Sequence, residues 1–201
     1  ERYLEDIMIS QGFLRGDQFA IAIALIIEGL PVLAALACPL LPIDPAQPDG
    51  ERGVLALARR GCGATIEPLR GGSSLPLRVS SQSDMAHARL LESVESQHTD
   101  HSFSAQLLAT AGVKGQTVRM DSQAKYVALA DGRAELYLRQ SPGAGYAEKI
   151  WDHAAGVLMV EEAGGRVTDL DGCPLDFSRG ARLDANRGIL ATNGLIHDVL
   201  L

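Results

Sequence analysis

The sequence predicts an α/β fold in two parts, an α+β sheet unit over residues 1–75 and an α/β unit over residues 76–201. Three observations predict it. Short apolar runs separated by turn residues fill the chain up to residue 70. Gly71-Gly72-Ser73-Ser74 then forms a flexible connector. Beyond it, strand-like and helix-like segments alternate, the pattern of a sheet with helical crossovers. The chain has 201 residues, of which 46% are hydrophobic but only 4% aromatic. It can therefore bury a sizeable core, built mostly from Ala, Val, Leu and Ile.

Residues 19–27 (FAIAIALII) are continuously apolar and rich in Ile. Residues 31–38 (PVLAALAC) follow after Glu28-Gly29-Leu30. Ala and Leu suit helices too, but the short lengths and the Gly and Pro punctuation favour two buried strands joined by a tight turn. Residues 39–49 contain Pro39, Pro42, Pro45 and Pro48 and read as a loop. Residues 53–60 and 64–69 form a second hairpin around Gly61-Cys62-Gly63. After the connector come a strand at 77–80, a helix at 85–92 and a helix at 102–111 closed by Gly112. A strand at 118–120, a helix at 122–130 and a strand at 134–139 follow. A long helix at 150–163 is closed by Gly164-Gly165. Strands at 165–169 and 188–192 and a helix at 195–201 complete the chain. The alternation implies a largely parallel sheet with its ligand site at the strand ends.

The net charge of −7 argues against a grip on a nucleic-acid polymer, which needs a basic surface. It leaves room for a small anion held by a few local cations. Cys38, Cys62 and Cys173 are odd in number and form no CxxC pair, which argues against a disulfide framework or a zinc site. They read as small buried hydrophobes in a reducing compartment. The acidic start Glu1-Arg2-Tyr3-Leu4-Glu5-Asp6 is unlike a targeting peptide. The 19–27 run falls short of the ~20 residues of a membrane helix. A soluble intracellular protein is expected, with cytoplasm and organelle equally open. No initiator Met is present, so the chain is expected not to begin where its gene begins.

Several residues are candidates for chemistry. Asp152 lies at the entrance of the long helix, where it can cap free N–H groups. Ala154, Ala155 and Gly156 are small enough to let something approach that helix end, as a phosphate would. Asp152 beside it suits a magnesium ion. Ser122 and Lys125, three apart on a helix face, can hold an anion; a cap plus a solvated lysine is the other reading. Arg139 ends the 134–139 strand, with a planar fork suited to phosphate. His98 and His101 have a spacing that invites zinc only weakly, since no Cys or third His stands nearby; a neutral imidazole contacting a nucleotide is the other reading. Gly12-Phe13-Leu14-Arg15-Gly16 is a glycine-bracketed turn before a strand.

GFLRGDQFAIA (12–22), ESVESQH (92–98), MDSQAKYVALADGRAELYLR (120–139), YAEKIWDHAAG (146–156) and EEAGGRVTDLDGCPLDFSRG (161–180) occur in this order. Together they resemble the 3'(2'),5'-bisphosphate nucleotidases of the inositol monophosphatase superfamily, from about Gly12 to the C-terminus. WDHAAG specifies the superfamily; DSQAKY and GFLRG specify the nucleotidase branch. The resemblance implies a layered α/β/α/β/α sandwich, here lacking its first helices, so that residues 1–75 are the remnant of a sheet domain. It implies magnesium-dependent hydrolysis of 3'-phosphoadenosine 5'-phosphate to AMP and phosphate, a reaction tied to sulfur metabolism and typically inhibited by lithium.

By matching position, Asp152 would ligate magnesium and touch substrate. Ser122, Lys125 and Arg139 would hold the 5'-phosphate and ribose side. His98 would contact the nucleotide, and His101 sits in the same segment. An Asp-Pro-Ile-Asp-Gly-Thr segment is expected before the GFLRG turn, but Glu5-Asp6-Ile7-Met8-Ile9-Ser10 stands there. Glu5 takes the place of the first Asp as a metal ligand, and Ser10 that of the catalytic Thr. Met8 is a poor magnesium ligand. Upstream carboxylates are absent, so a truncated or variant form with impaired turnover is expected. A non-catalytic nucleotide-binding or assembly protein is the alternative, and an inositol polyphosphate phosphatase a further one. The apolar 19–27 strand, short of its covering helices, should expose a patch that a second copy, a partner chain or another segment covers.

Overall fold

The computed structural model describes residue 13 and residues 15–94, 101–140 and 147–201. Its strands form two five-stranded sheets. In the first, β1 (Ile21–Ile27), β2 (Leu30–Pro42), β3 (Arg52–Arg59), β4 (Gly63–Pro68) and β5 (Leu75–Pro76) lie in sequence order. Every pairing in it is antiparallel. The β1–β2 turn is tight because Glu28 (φ 51°) and Gly29 (φ 76°) both adopt left-handed conformations, the geometry that matches strand twist in a two-residue hairpin. The prolines do not end β2 at Cys38 as expected. The strand runs on to Pro42 through an irregularity between Cys38 and Pro42, where a residue without an N–H is tolerated.

The second sheet has the order β7–β6–β8–β10–β9, with β6 (Leu90–Glu92), β7 (Thr117–Arg119), β8 (Leu136–Arg139), β9 (Arg166–Thr168) and β10 (Ile189–Thr192). It is mixed rather than largely parallel. β6 runs parallel to β7 and β8, whereas β10 is antiparallel to both β8 and β9. No helix lies between β9 and β10 to provide a parallel crossover.

The expected helix at 85–92 is instead a 3-10 turn, Met85–His87, capped by Asp84, followed by β6. All three residues of β6 are buried, so a central strand covered on both faces replaces a helix with one polar side. The expected strand at 77–80 pairs only at the preceding Leu75–Pro76. Helices α1 (His101–Thr110), α2 (Ala124–Ala130), α3 (Ala154–Glu162) and α4 (His197–Leu200) account for the other helical segments.

The helices and sheets stack as β/α/β/α. α2 and α3 pack between the sheets, joining Leu36, Cys38 and Val54 on one side to Tyr137, Ile189 and Ala191 on the other. Beyond the second sheet, Leu90, Leu136, Leu138 and Leu190 meet Ile196 and Leu200, with Phe103 and Leu107 of α1 against them. Among the described residues this is the expected sandwich without an outer helical layer on the first sheet. The outer face of that sheet is bare among the described residues: Ile21, Ile23, Leu25 and Ile27 are 40–57% exposed. The expected apolar patch is therefore present. Ile23, Leu25, Leu33 and Leu57 line a depression of about 480 Å³ on it.

Candidate functional site

Three of the sequence segments singled out above converge where β8 ends and where α2 and α3 begin. Arg15, from the GFLRG turn, pairs with Asp121 of the DSQAKY segment. Gln123 of DSQAKY donates through Nε2 to the Trp151 carbonyl of the KIWDHAAG segment at 2.8 Å. Local backbone geometry aims the groups. Ser122 has φ 63°, a left-handed conformation that is strained for a residue with a side chain. α2 therefore starts at Ala124 rather than at Ser122. The Ser122 Oγ accepts from the Ala124 N–H at 3.3 Å, the local cap envisaged for it. Lys125 is not solvated: its residue is 3% exposed, and Nζ donates to the carbonyls of Met120 (2.8 Å) and Ser122 (2.9 Å). An ammonium has three donors, so these two bonds leave one over. Burial, and then the nearby Arg139, push its pKa down to about 7, while Asp121 and Asp152 act in the opposite sense.

Arg139 ends β8 and holds Glu148 through Nε–Oε1 at 2.9 Å and Nη2–Oε2 at 2.7 Å. Burial alone would raise the Glu148 pKa, but His153 and Arg139 keep it well below the usual carboxylate range. Behind Glu148 lies His153, fully buried. Its Nε2 is 3.2 Å from Glu148 Oε2 and its Nδ1 is 2.7 Å from the Tyr126 hydroxyl. Tyr126 packs edge-on against Tyr137, with ring centroids 5.0 Å apart.

Asp152 is not the cap of the long helix. It closes a 3-10 turn, Ile150–Asp152. His153 (φ −133°, ψ −35°) occupies the cap position and breaks the helix there. The small residues of the first turn do permit a close approach, but what approaches is the Tyr126 ring: a Cβ on Gly156 would lie 2.1 Å from it. Asp152 accepts no hydrogen bond from a described side chain, and its charge acts on Lys125, Arg139 and both tyrosines.

The structure thus brings Ser122, Lys125, Arg139 and Asp152 together. His101 stands in a neighbouring cluster, its Nδ1 3.0 Å from Arg119 Nη2 and 3.8 Å from the buried Glu92 carboxylate. Glu5, Ser10 and His98 lie outside the described residues. Sequence reasoning passed over Asp121, Tyr126, Tyr137, Glu148 and His153. All five lie inside the quoted motif segments; Asp121, Tyr126 and His153 adjoin residues that were chosen, and Tyr137 is two residues before Arg139 on β8, on the same face. Their signal was a dense run of polar groups in otherwise apolar elements. Formal charges in the cluster cancel, Arg15, Lys125 and Arg139 against Asp121, Glu148 and Asp152.

Among the described residues no three His, Cys, Asp or Glu side chains converge to hold a metal. One carboxylate, Asp152, is too few for a magnesium site, so the described residues do not fit that ion by themselves. No helix among them is long and apolar enough to cross a membrane.

A layered α/β sandwich that sets the cations Lys125 and Arg139 beside Ser122 and Asp152 is a scaffold able to hold a small anion. The inositol monophosphatase family model matches residues 10–200, and the chain belongs to that family. Its members are generally metal-dependent phosphatases. The chain is 45% identical over 204 residues to a 3'(2'),5'-bisphosphate nucleotidase of Oryza sativa, covering 98% of this chain and 57% of the relative. It is 40% identical over 212 residues to the enzyme of that name from Emericella nidulans, covering 98% and 60%. Among solved structures, the extragenic suppressor protein suhB from Bartonella henselae aligns with a TM-score of 0.68 at 27% identity, over 95% of this chain and 63% of that one. The chain therefore spans less than two thirds of the length of these relatives.

Proposed function

We propose that this chain carries the nucleotide-holding part of a magnesium-dependent 3'(2'),5'-bisphosphate nucleotidase, acting on 3'-phosphoadenosine 5'-phosphate to release AMP and phosphate. The observation that carries the proposal is the buried pair Lys125 and Arg139, set with Ser122 and Asp152 where the GFLRG, DSQAKY and WDHAAG segments meet. Arg139 keeps its Nη1 amino group outside the Glu148 pair, and Lys125 has one N–H left over. Both suit a 5'-phosphate, and charge-assisted bonds in a dry site are the strong ones. The 40–45% identity to proteins named for this reaction supports the nucleotide over an inositol polyphosphate.

The test is phosphate release with magnesium from adenosine 3',5'-bisphosphate, AMP and an inositol polyphosphate, with calorimetric titration of AMP alongside. Release from the bisphosphate at a rate far below that of a full-length relative, and none from AMP, is expected. Preferential release from the inositol compound contradicts the proposal. One observation favours a second reading, that the chain binds nucleotide without turnover. Among the described residues of the site, Asp152 is the one carboxylate outside an ion pair, and there is no surplus of formal positive charge to meet a developing phosphate dianion. AMP binding with no release from any of the three compounds is the result that selects this second reading.

A further inference from the structure

Arg139 is held by more than its charge requires. One carboxylate contact would neutralise it. Glu148 instead binds it side-on through two nitrogens, at 2.7 and 2.9 Å, the geometry that fixes the plane of a guanidinium. Glu148 is itself 5% exposed and is braced by His153 at 3.2 Å. His153 is braced in turn by the Tyr126 hydroxyl at 2.7 Å. Tyr126 cannot shift easily, because its ring fills the space left by the absent Cβ of Gly156 and packs edge-on against Tyr137. The chain Tyr126–His153–Glu148–Arg139 thus runs from the middle helical layer to the end of β8. Arg139 is the only one of the four that the proposed phosphate would meet.

We infer that Glu148 is a positioning residue, which locks the Arg139 guanidinium so that its Nη1 amino group faces the 5'-phosphate of the nucleotide. The inference rests on the functional reading above. The physical gain is pre-organisation: a long, flexible side chain is ordered during folding rather than on binding. Tyr126 and His153 hold Glu148 against turning away from the arginine, and removing the carboxylate charge frees the guanidinium to swing toward Asp152.

Two measurements test this. The first is a double-mutant cycle read by AMP affinity, with wild type, Glu148→Gln, Arg139→Gln and the double variant. If Glu148 acts through Arg139, Glu148→Gln weakens AMP binding by about tenfold when Arg139 is present, and by less than about twofold when it is Gln. A merely structural role gives the same loss in both backgrounds and overturns the inference while leaving the site reading intact. No AMP binding by the wild type overturns the site reading, and the inference with it. The second measurement needs no ligand and no Arg139 variant. Nitrogen NMR of the Arg139 side chain should show slow guanidinium rotation in the wild type and fast rotation in Glu148→Gln. Equal rotation in both overturns the inference.

Discussion

The two sheets have the same number of strands and opposite characters. The first is wholly antiparallel, with one face on the central helices and the other bare among the described residues. Its central strands expose few polar side chains, and the described contacts give it no buried ion pair. The second is mixed, covered on both faces, and carries buried carboxylates: Glu135 and Glu92, each met by a partly exposed arginine, Arg89 and Arg119, and Glu148, whose pair with Arg139 is largely buried on both sides. The difference is one of solvent. Ion pairs and hydrogen bonds gain strength where water is excluded, and that condition holds where a sheet is covered on both faces. The first sheet serves as a wall for the central helices, and the second sheet holds the buried polar groups on which the proposed site is built.

Substitutions can break or sharpen this contrast. Leu36 is fully buried on the inner face of the first sheet. Leu36→Ala should lower unfolding free energy by roughly 3–4 kcal/mol in urea titrations. Gly156→Ala should cost about 3 kcal/mol, because the new methyl meets the Tyr126 ring. A smaller ring-side partner, Tyr126→Leu, should recover part of that loss in the double variant.

The next effect is acid sensitivity of the second sheet. His197 is buried between Thr168 and Thr192, each 2.9 Å from a ring nitrogen. Burial, then Arg166, pushes its pKa down from 6.5 to about 4. The unfolded chain therefore binds the proton first. Stability from this residue is complete above pH 6.5 and is lost as pH falls toward 4, on the order of 2–3 kcal/mol in total. In His197→Gln, unfolding followed across that window should show a flatter pH slope. The smallest effect belongs to the bare face. Ile23 is 57% exposed, so Ile23→Ser should change stability by no more than ~0.5 kcal/mol, while lowering the binding of an apolar dye. A loss as large as that of Leu36→Ala would show that the face is covered after all.

The legible parts of the fold were those with local signals. Glu28-Gly29 and Gly61-Cys62-Gly63 mark their hairpins, and the continuous apolar run 19–27 marks its strand. The 85–92 segment misled because a three-residue strand buried on both faces has no period to read. Its identity is decided by β7 and β8, which come later in the chain. The mixed direction of the second sheet escaped for the same reason. At the site, Ser122, Lys125, Arg139 and Asp152 were legible from the motifs that carry them. Their partners were not, because Glu148, His153 and Tyr126 meet through tertiary packing around Gly156. Asp152 was misread as a helix cap because the break at His153 leaves no mark in composition.

The division of labour between the sheets is tested most directly by hydrogen exchange with and without AMP. The account predicts slower exchange at residues 120–126, 136–139 and 148–153, with no change at residues 21–35. Protection confined to residues 21–35, or none anywhere at saturating AMP, would contradict it.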